Sequence, residues 1–126
     1  MKIARVLIVD DHEIFRRGLR ALLEPYPEWE ICAEAVDGMD AVEQCRSLKP
    51  DIVVLDVSMP RLNGLEAARL IRKENPEARI IIITQHDSAQ IRAAAIDAGA
   101  QAFVTKSAVG SDLVLELRNL IKTSKL

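Results

Sequence analysis

Residues 51–56 read Asp-Ile-Val-Val-Leu-Asp, and the apolar centre of that stretch, Ile52-Val53-Val54-Leu55, decides the fold. A strand with one face in water alternates apolar and polar side chains; this one does not, so it needs cover on both faces. That is the condition of a central strand in a parallel sheet flanked by helices. Val6-Leu7-Ile8-Val9 and Ile80-Ile81-Ile82-Ile83 share the property. These three runs are predicted to form the middle of one sheet.

Working outward, strands are predicted over Ile3 to Val9, Trp29 to Val36, Asp51 to Leu55, Arg79 to Thr84 and Gln101 to Val104. Trp29 to Val36 carries Glu30 and Glu34 among its apolar residues, which suits an edge strand. Helical periodicity fills the gaps, over Glu13 to Glu24, Met39 to Leu48, Leu65 to Glu74, Ala89 to Ala98 and Ser111 to Lys122. In the first helix Ile14, Phe15, Leu19, Leu22 and Leu23 are expected to share the buried face. Asp37-Gly38 and Asn63-Gly64 read as helix starts and Ala98-Gly99 as a helix end, while Pro25, Pro27, Pro50 and Pro76 fall between elements. Strand then helix, five times over, is an α/β domain.

Composition agrees. The chain has 126 residues, 49% of them hydrophobic, enough for one ordinary core. Seventeen Lys and Arg against nineteen Asp and Glu give a formal charge of −2, which argues against a broad basic face for nucleic acid. No apolar run approaches the ~20 residues of a spanning helix. Met1-Lys2-Ile3-Ala4-Arg5 lacks signal-peptide architecture, so a cytoplasmic protein without membrane contact is expected. Cys32 and Cys45 have neither metal-site nor disulfide-scaffold spacing and are expected as buried free thiols.

Ligands of open parallel sheets sit beyond the carboxyl ends of the strands. There the chain places Asp10-Asp11 after strand one, Asp56 after strand three, Thr84 at the end of strand four and Lys106 shortly after strand five. Three converging carboxylates repel one another, and one lysine cannot neutralise them all. A divalent cation with hard oxygen ligands, Mg²⁺ above all, resolves the conflict. Acids, Mg²⁺, a hydroxyl and an ammonium are equipment for phosphoryl transfer, in which one carboxylate can be the nucleophile. Such a nucleophile is already ionised at neutral pH and needs no general base, so His12 and His86 are expected on the surface.

The stretches VLIVDDHEIFRRGL (6–19), DIVVLDVSMPRLNGLEAARLIR (51–72), IIIITQHD (80–87) and GAQAFVTKS (99–107) resemble the receiver domain of bacterial two-component response regulators. The loop wording is most similar to the NarL/FixJ subfamily, whose members carry a LuxR-type helix-turn-helix output domain. The resemblance implies a doubly wound (βα)5 flavodoxin-like sandwich whose five parallel strands run in the order 2-1-3-4-5. It implies a receiver over residues 1–123, with 124–126 as a tail that starts a linker. Asp56 becomes the phosphoacceptor. Asp11 and Asp56 become direct Mg²⁺ ligands, with Asp10 acting through a metal-bound water and the backbone carbonyl of Ser58 completing the set. Thr84 would hydrogen-bond the phosphoryl group and Lys106 would pair with it. Phe103 stands at the position of the aromatic residue that turns inward when Thr84 is drawn to the phosphate.

Partners implied are a sensor histidine kinase or phosphotransfer protein, with homodimerisation on phosphorylation as a further expectation. No nucleic acid is bound by this domain directly, and no catalysis is expected beyond its own phosphorylation and dephosphorylation. The length is that of a receiver alone, which fits the regulatory half of a longer DNA-binding regulator. The helix from Ser88 to Ala98, rich in alanine with Ile91 and Ile96 as anchors, is expected to move cheaply and to form the output face with the last strand and last helix. Two positions depart from the family: Ser107 follows Lys106 where proline in a cis bond is common, and Phe103 replaces tyrosine.

Three other readings stay open at this level. A stand-alone receiver would act through protein contacts only. A Mg²⁺-dependent phosphatase of the haloacid dehalogenase type would want an acid two residues after its nucleophile, where this chain has Ser58. A flavodoxin-like phosphate-binding module would want a Gly/Ser/Thr-rich loop where this chain has Asp10-Asp11.

Overall fold

The computed structural model describes residues 3–57 and 63–123; Ser58, Met59, Pro60 and the tail at 124–126 lie outside the described residues. The elements alternate as β1 (Ala4–Val9), α1 (Glu13–Leu23), β2 (Trp29–Ala35), α2 (Gly38–Leu48), β3 (Ile52–Asp56), α3 (Gly64–Glu74), β4 (Arg79–Thr84), α4 (Ala89–Asp97), β5 (Ala102–Thr105) and α5 (Val109–Thr123), with a 3-10 turn over Lys106–Ala108. All sheet pairings are parallel and the strand order is β2-β1-β3-β4-β5. The non-alternating runs occupy the three central places.

Their side chains divide between two cores, as two-sided burial requires. Leu7, Val9, Val53, Leu55, Ile80 and Ile82 pack beneath α2 and α3 with Val42, Cys45, Ala67 and Ile71. Val6, Ile8, Ile52, Val54, Ile81 and Ile83 face the other way, against Leu19 and Leu23 of α1 and Leu113, Leu117 and Leu120 of α5. Each such side chain contributes roughly 1.5–3 kcal/mol by leaving water.

Local signals set the helix ends. The Asp37 carboxylate accepts from the Asp40 N–H at 2.8 Å, and Ser88 Oγ accepts from the Ile91 N–H at 3.1 Å. Asn63 and Glu66 form a reciprocal capping box at the start of α3. Gly99 ends the α4 region at φ +101°, a conformation costly for any residue with a Cβ.

Several expectations change. Ile14 is 84% exposed, because the buried stripe of α1 runs through Leu19 and Leu23 and places it on the solvent side. Ile96 is 73% exposed and anchors nothing, and Ala95 is the one buried residue within α4. Asp56 is the last residue of β3 rather than the residue after it, and α5 begins two residues earlier than its periodicity indicated. No peptide bond among the described residues is cis, so Lys106–Ser107 is trans.

On β2 the register shifts between Val6 and Leu7, whose partners are Ile31 and Ala33, leaving Cys32 as an extra residue. Such a bulge is tolerated on an edge strand. Cys32 is thereby only partly buried, whereas Cys45 is buried. Burial pushes the Cys45 thiol up to about 12 and raises that of Cys32 as well. Because the thiolate is the reactive form, a disulfide-exchange reagent at pH 8 is expected to modify Cys32 slowly and Cys45 only on unfolding. Fast labelling of both in the native protein would contradict this packing.

Candidate functional site

The parallel pairing of β1 with β3, which sets Val9 beside Leu55, brings Asp10 and Asp56 together at one rim of the sheet. Both are buried, Asp10 completely and Asp56 to 2% exposure. Asp10 is held at several points. Its N–H donates to the Ala35 carbonyl at 3.1 Å, its carbonyl accepts from Arg16 Nη1 at 2.8 Å, and its Oδ1 accepts from the His12 N–H at 2.8 Å. Arg16 also donates to Glu34 at 2.7 Å, and Arg20 joins the same carboxylate at 2.6 Å. Burial works to raise the Glu34 carboxyl, yet the two guanidiniums hold it below the usual range. An ion-paired clamp between α1 and β2 thus fixes the backbone of the acid that follows β1.

Lys106 enters from the opposite side, at the 3-10 turn after β5. Its Nζ lies 3.2 Å from Asp10 Oδ2 and 3.7 Å from Asp56 Oδ1, and 4.5 Å from the centre of the Phe15 ring. The aromatic face adds a cation–π contact, and the side chain is only 12% exposed. With Ser107 following it in a trans bond, Lys106 still reaches both carboxylates.

Asp11 completes the acids, with its side chain 27% exposed. His12, expected on the surface, lies there beside them. Its ring is largely exposed, but Nδ1 lies 3.2 Å from Asp11 Oδ1 and 3.3 Å from Asp10 Oδ1. One ligand atom from each of Asp10, Asp11, His12 and Asp56 falls within 4.8 Å of all the others. The sequence signal was available in its adjacency to Asp10-Asp11, but the turn that folds the ring back onto them is not a periodic feature.

This donor set fits a divalent cation. Opposite ligands of Mg²⁺ stand about 4.2 Å apart, so oxygens within 4.8 Å of each other need little movement. Among the described residues Asp10 Oδ2 has no hydrogen-bond donor and meets Lys106 as an ion pair. One ammonium among the described residues faces three carboxylates, an imbalance that a cation corrects.

Thr84, 4% exposed, ends β4 at the same rim. Its Oγ1 accepts from the His86 N–H at 3.2 Å and donates to the His86 carbonyl at 3.3 Å, so the hydroxyl is engaged with its own loop. Phe103 is half-buried on β5 and packs against the α2/α3 core, with the Arg92 guanidinium 4.5 Å above its ring. Gly64 closes the site from behind. A Cβ built there would run into the Asp56 carbonyl oxygen and approach Asp56 C and Val57 Cα at 2.7 and 2.8 Å.

Comparison with known proteins decides what this arrangement belongs to. Residues 6–118 match the response regulator receiver domain family. The chain is a receiver domain of that family. The receiver is 38% identical over 115 residues to the response regulator UvrY of Escherichia coli K12, covering 91% of this chain and 53% of UvrY. It is also 38% identical over 122 residues to the nitrate/nitrite response regulator NarP of the same organism, covering 97% of this chain and 57% of NarP. The chain therefore spans about half the length of these regulators. Among solved structures, a LuxR-family two-component response regulator from Aurantimonas sp. SI85-9A1 superposes with a TM-score of 0.92 at 39% identity, covering 98% of this chain and 88% of that one. These relatives place the receiver with the NarL/FixJ regulators. The match is confined to the receiver, and no helix among the described residues is long and apolar enough to cross a membrane.

Proposed function

We propose that Asp56 is the phosphoacceptor of this receiver and that Asp10, Asp11, Asp56 and the backbone carbonyl of Ser58 hold Mg²⁺ beside it. The carrying observation is the seating of Lys106 Nζ between Asp10 Oδ2 and Asp56 Oδ1. A buried carboxylate with a fixed ammonium at its edge can receive a dianionic group without leaving the incoming charge unpaired.

In the transfer an Asp56 oxygen attacks phosphorus, the P–N bond to a phosphohistidine breaks as the P–O bond forms, and the imidazole departs with a proton. Mg²⁺, when bound, supplies charge neutralisation for the phosphoryl oxygens. Lys106 pairs with one of those oxygens. Thr84 gives up its bonds to His86 and donates to another, and the space it leaves lets Phe103 turn inward. The phosphoryl group adds about −1.5 to −2 charge and three acceptor oxygens, enough to draw both residues. The donor is a sensor histidine kinase or a phosphotransfer protein, and the setting is the cytoplasm.

We assign residues 1–123 to the receiver and 124–126 to the start of a linker leading to a helix-turn-helix output, because UvrY and NarP extend well beyond the matched region. DNA contact belongs to that output, the receiver contributes regulation and phosphorylation-dependent self-association, and its own chemistry ends with gain and loss of the phosphoryl group. Incubation with acetyl phosphate and Mg²⁺ followed by intact-mass measurement tests this. One phosphoryl group, absent when EDTA replaces Mg²⁺, is the expected result. No adduct with Mg²⁺ present would leave only a protein-contact role.

A further inference from the structure

The Arg92 side chain bridges the loop after β4 and the Phe103 ring. Arg92, on the first turn of α4, donates from Nε to Asp87 Oδ1 at 2.6 Å and from Nη2 to Asp87 Oδ2 at 3.0 Å. The same guanidinium covers the Phe103 ring at 4.5 Å. Asp87 stands next to His86, whose backbone holds the Thr84 hydroxyl. A planar, forked cation can grip a carboxylate edge-on while stacking on an aromatic face, which an ammonium cannot do.

Taken alone, an ion pair whose partners are both about half exposed is worth little. Its place in the fold gives it consequence. Residues 89–97 of α4 bury only Ala95, with Ala98 buried just beyond the carboxyl end of the helix. The amino-terminal end, which carries Arg92, is the end with least packing to overcome. A contact made in one state and lost in the other biases the equilibrium by its own worth.

We infer that Arg92 is a positioning residue that latches the resting state, holding Phe103 under its guanidinium and the loop after Thr84 through Asp87. When Thr84 leaves His86 for the phosphoryl group, the loop carries Asp87 with it, Arg92 follows, and the cover is withdrawn from Phe103. The inference rests on Asp56 as acceptor.

The test uses beryllofluoride with Mg²⁺, which adds to a carboxylate as a phosphoryl mimic, on the full chain. Affinity and the Phe103 ring signals are followed by NMR, with thermal unfolding measured in parallel. Arg92→Met is expected to bind the mimic about five-fold more tightly, the scale of one exposed cation–π contact with its ion pair. It is also expected to shift the Phe103 signals of the unloaded protein toward their loaded positions. Asp87→Asn is expected to tighten binding in the presence of Arg92 and to have no effect in Arg92→Met.

Unchanged or weaker binding by Arg92→Met, whatever its melting temperature, would overturn the latch, as would an undiminished Asp87→Asn effect in Arg92→Met. If the unsubstituted chain fails to bind beryllofluoride, the acceptor reading itself is overturned and the latch falls with it. Binding by the unsubstituted chain and not by Asp56→Asn separates the two cases.

Discussion

Asp56→Asn is expected to abolish the phosphoryl adduct completely while making the metal-free protein more stable. The amide keeps the shape of the side chain and has no nucleophilic oxygen anion. The stability gain follows from charge. Oxygens of Asp10 and Asp11 lie within 4.8 Å of an Asp56 oxygen, and Lys106 Nζ lies 3.7 Å away. At an effective dielectric near 20, each repulsion is about 3.5 kcal/mol and the attraction about 4.5 kcal/mol. Removing the charge relieves both repulsions at the cost of that attraction, and the metal-free variant is expected to unfold at a higher temperature. Added Mg²⁺ should raise the melting temperature of the unsubstituted receiver strongly and that of the variant weakly, since the variant has lost one charged ligand. Thermal unfolding with and without Mg²⁺ measures both. A variant less stable than the unsubstituted protein in EDTA would show that the acids are not in conflict.

Gly64→Ala is expected to be severely destabilising. Its Cβ would meet the carbonyl of Asp56 and the Cα of Val57, both backbone, at distances real Cβ atoms do not adopt. Neither obstacle can rotate away. Gly64 N–H also donates to the Val57 carbonyl at 2.8 Å, and Asn63 caps the helix that Gly64 begins, so the chain is fixed on both sides of the collision. A loss of about 4 kcal/mol, lowering the melting point by some 15 °C, is the expected scale. The variant that does fold should also bind Mg²⁺ poorly, because the displaced segment carries Asp56. Calorimetry and metal titration check this. A melting point within a few degrees of the original would mean that α3 does not lie against β3 as described.

Asn63-Gly64 was legible as a helix start, but the reason glycine is required there was not. The collision is with a residue eight positions earlier, brought close only when α3 folds back over β3. The same distinction runs through the molecule. The central strands were readable because two-sided burial leaves a continuous apolar run, and the rim acids because a parallel sheet puts all strand ends on one side. Ile14 and Ile96 misled because apolar periodicity cannot tell a core face from a face left in water. The contacts of His12 with the acids and of Arg92 with Phe103 were not legible for a related reason. The ring of His12 turns back onto its own neighbours through the local loop geometry, and Arg92 stacks on a residue of another element; apolar periodicity encodes neither contact.

The central claim is that the phosphoryl group resides on Asp56, and mapping the adduct tests it most directly. Borohydride cleaves an acyl phosphate and leaves the alcohol, so an aspartyl phosphate becomes homoserine. After phosphorylation with acetyl phosphate and Mg²⁺, reduction and peptide mass analysis, homoserine is predicted at position 56 and at no other aspartate. Phosphate recovered on His12 or His86, or homoserine at position 10 or 11 with Asp56 unchanged, would contradict the account.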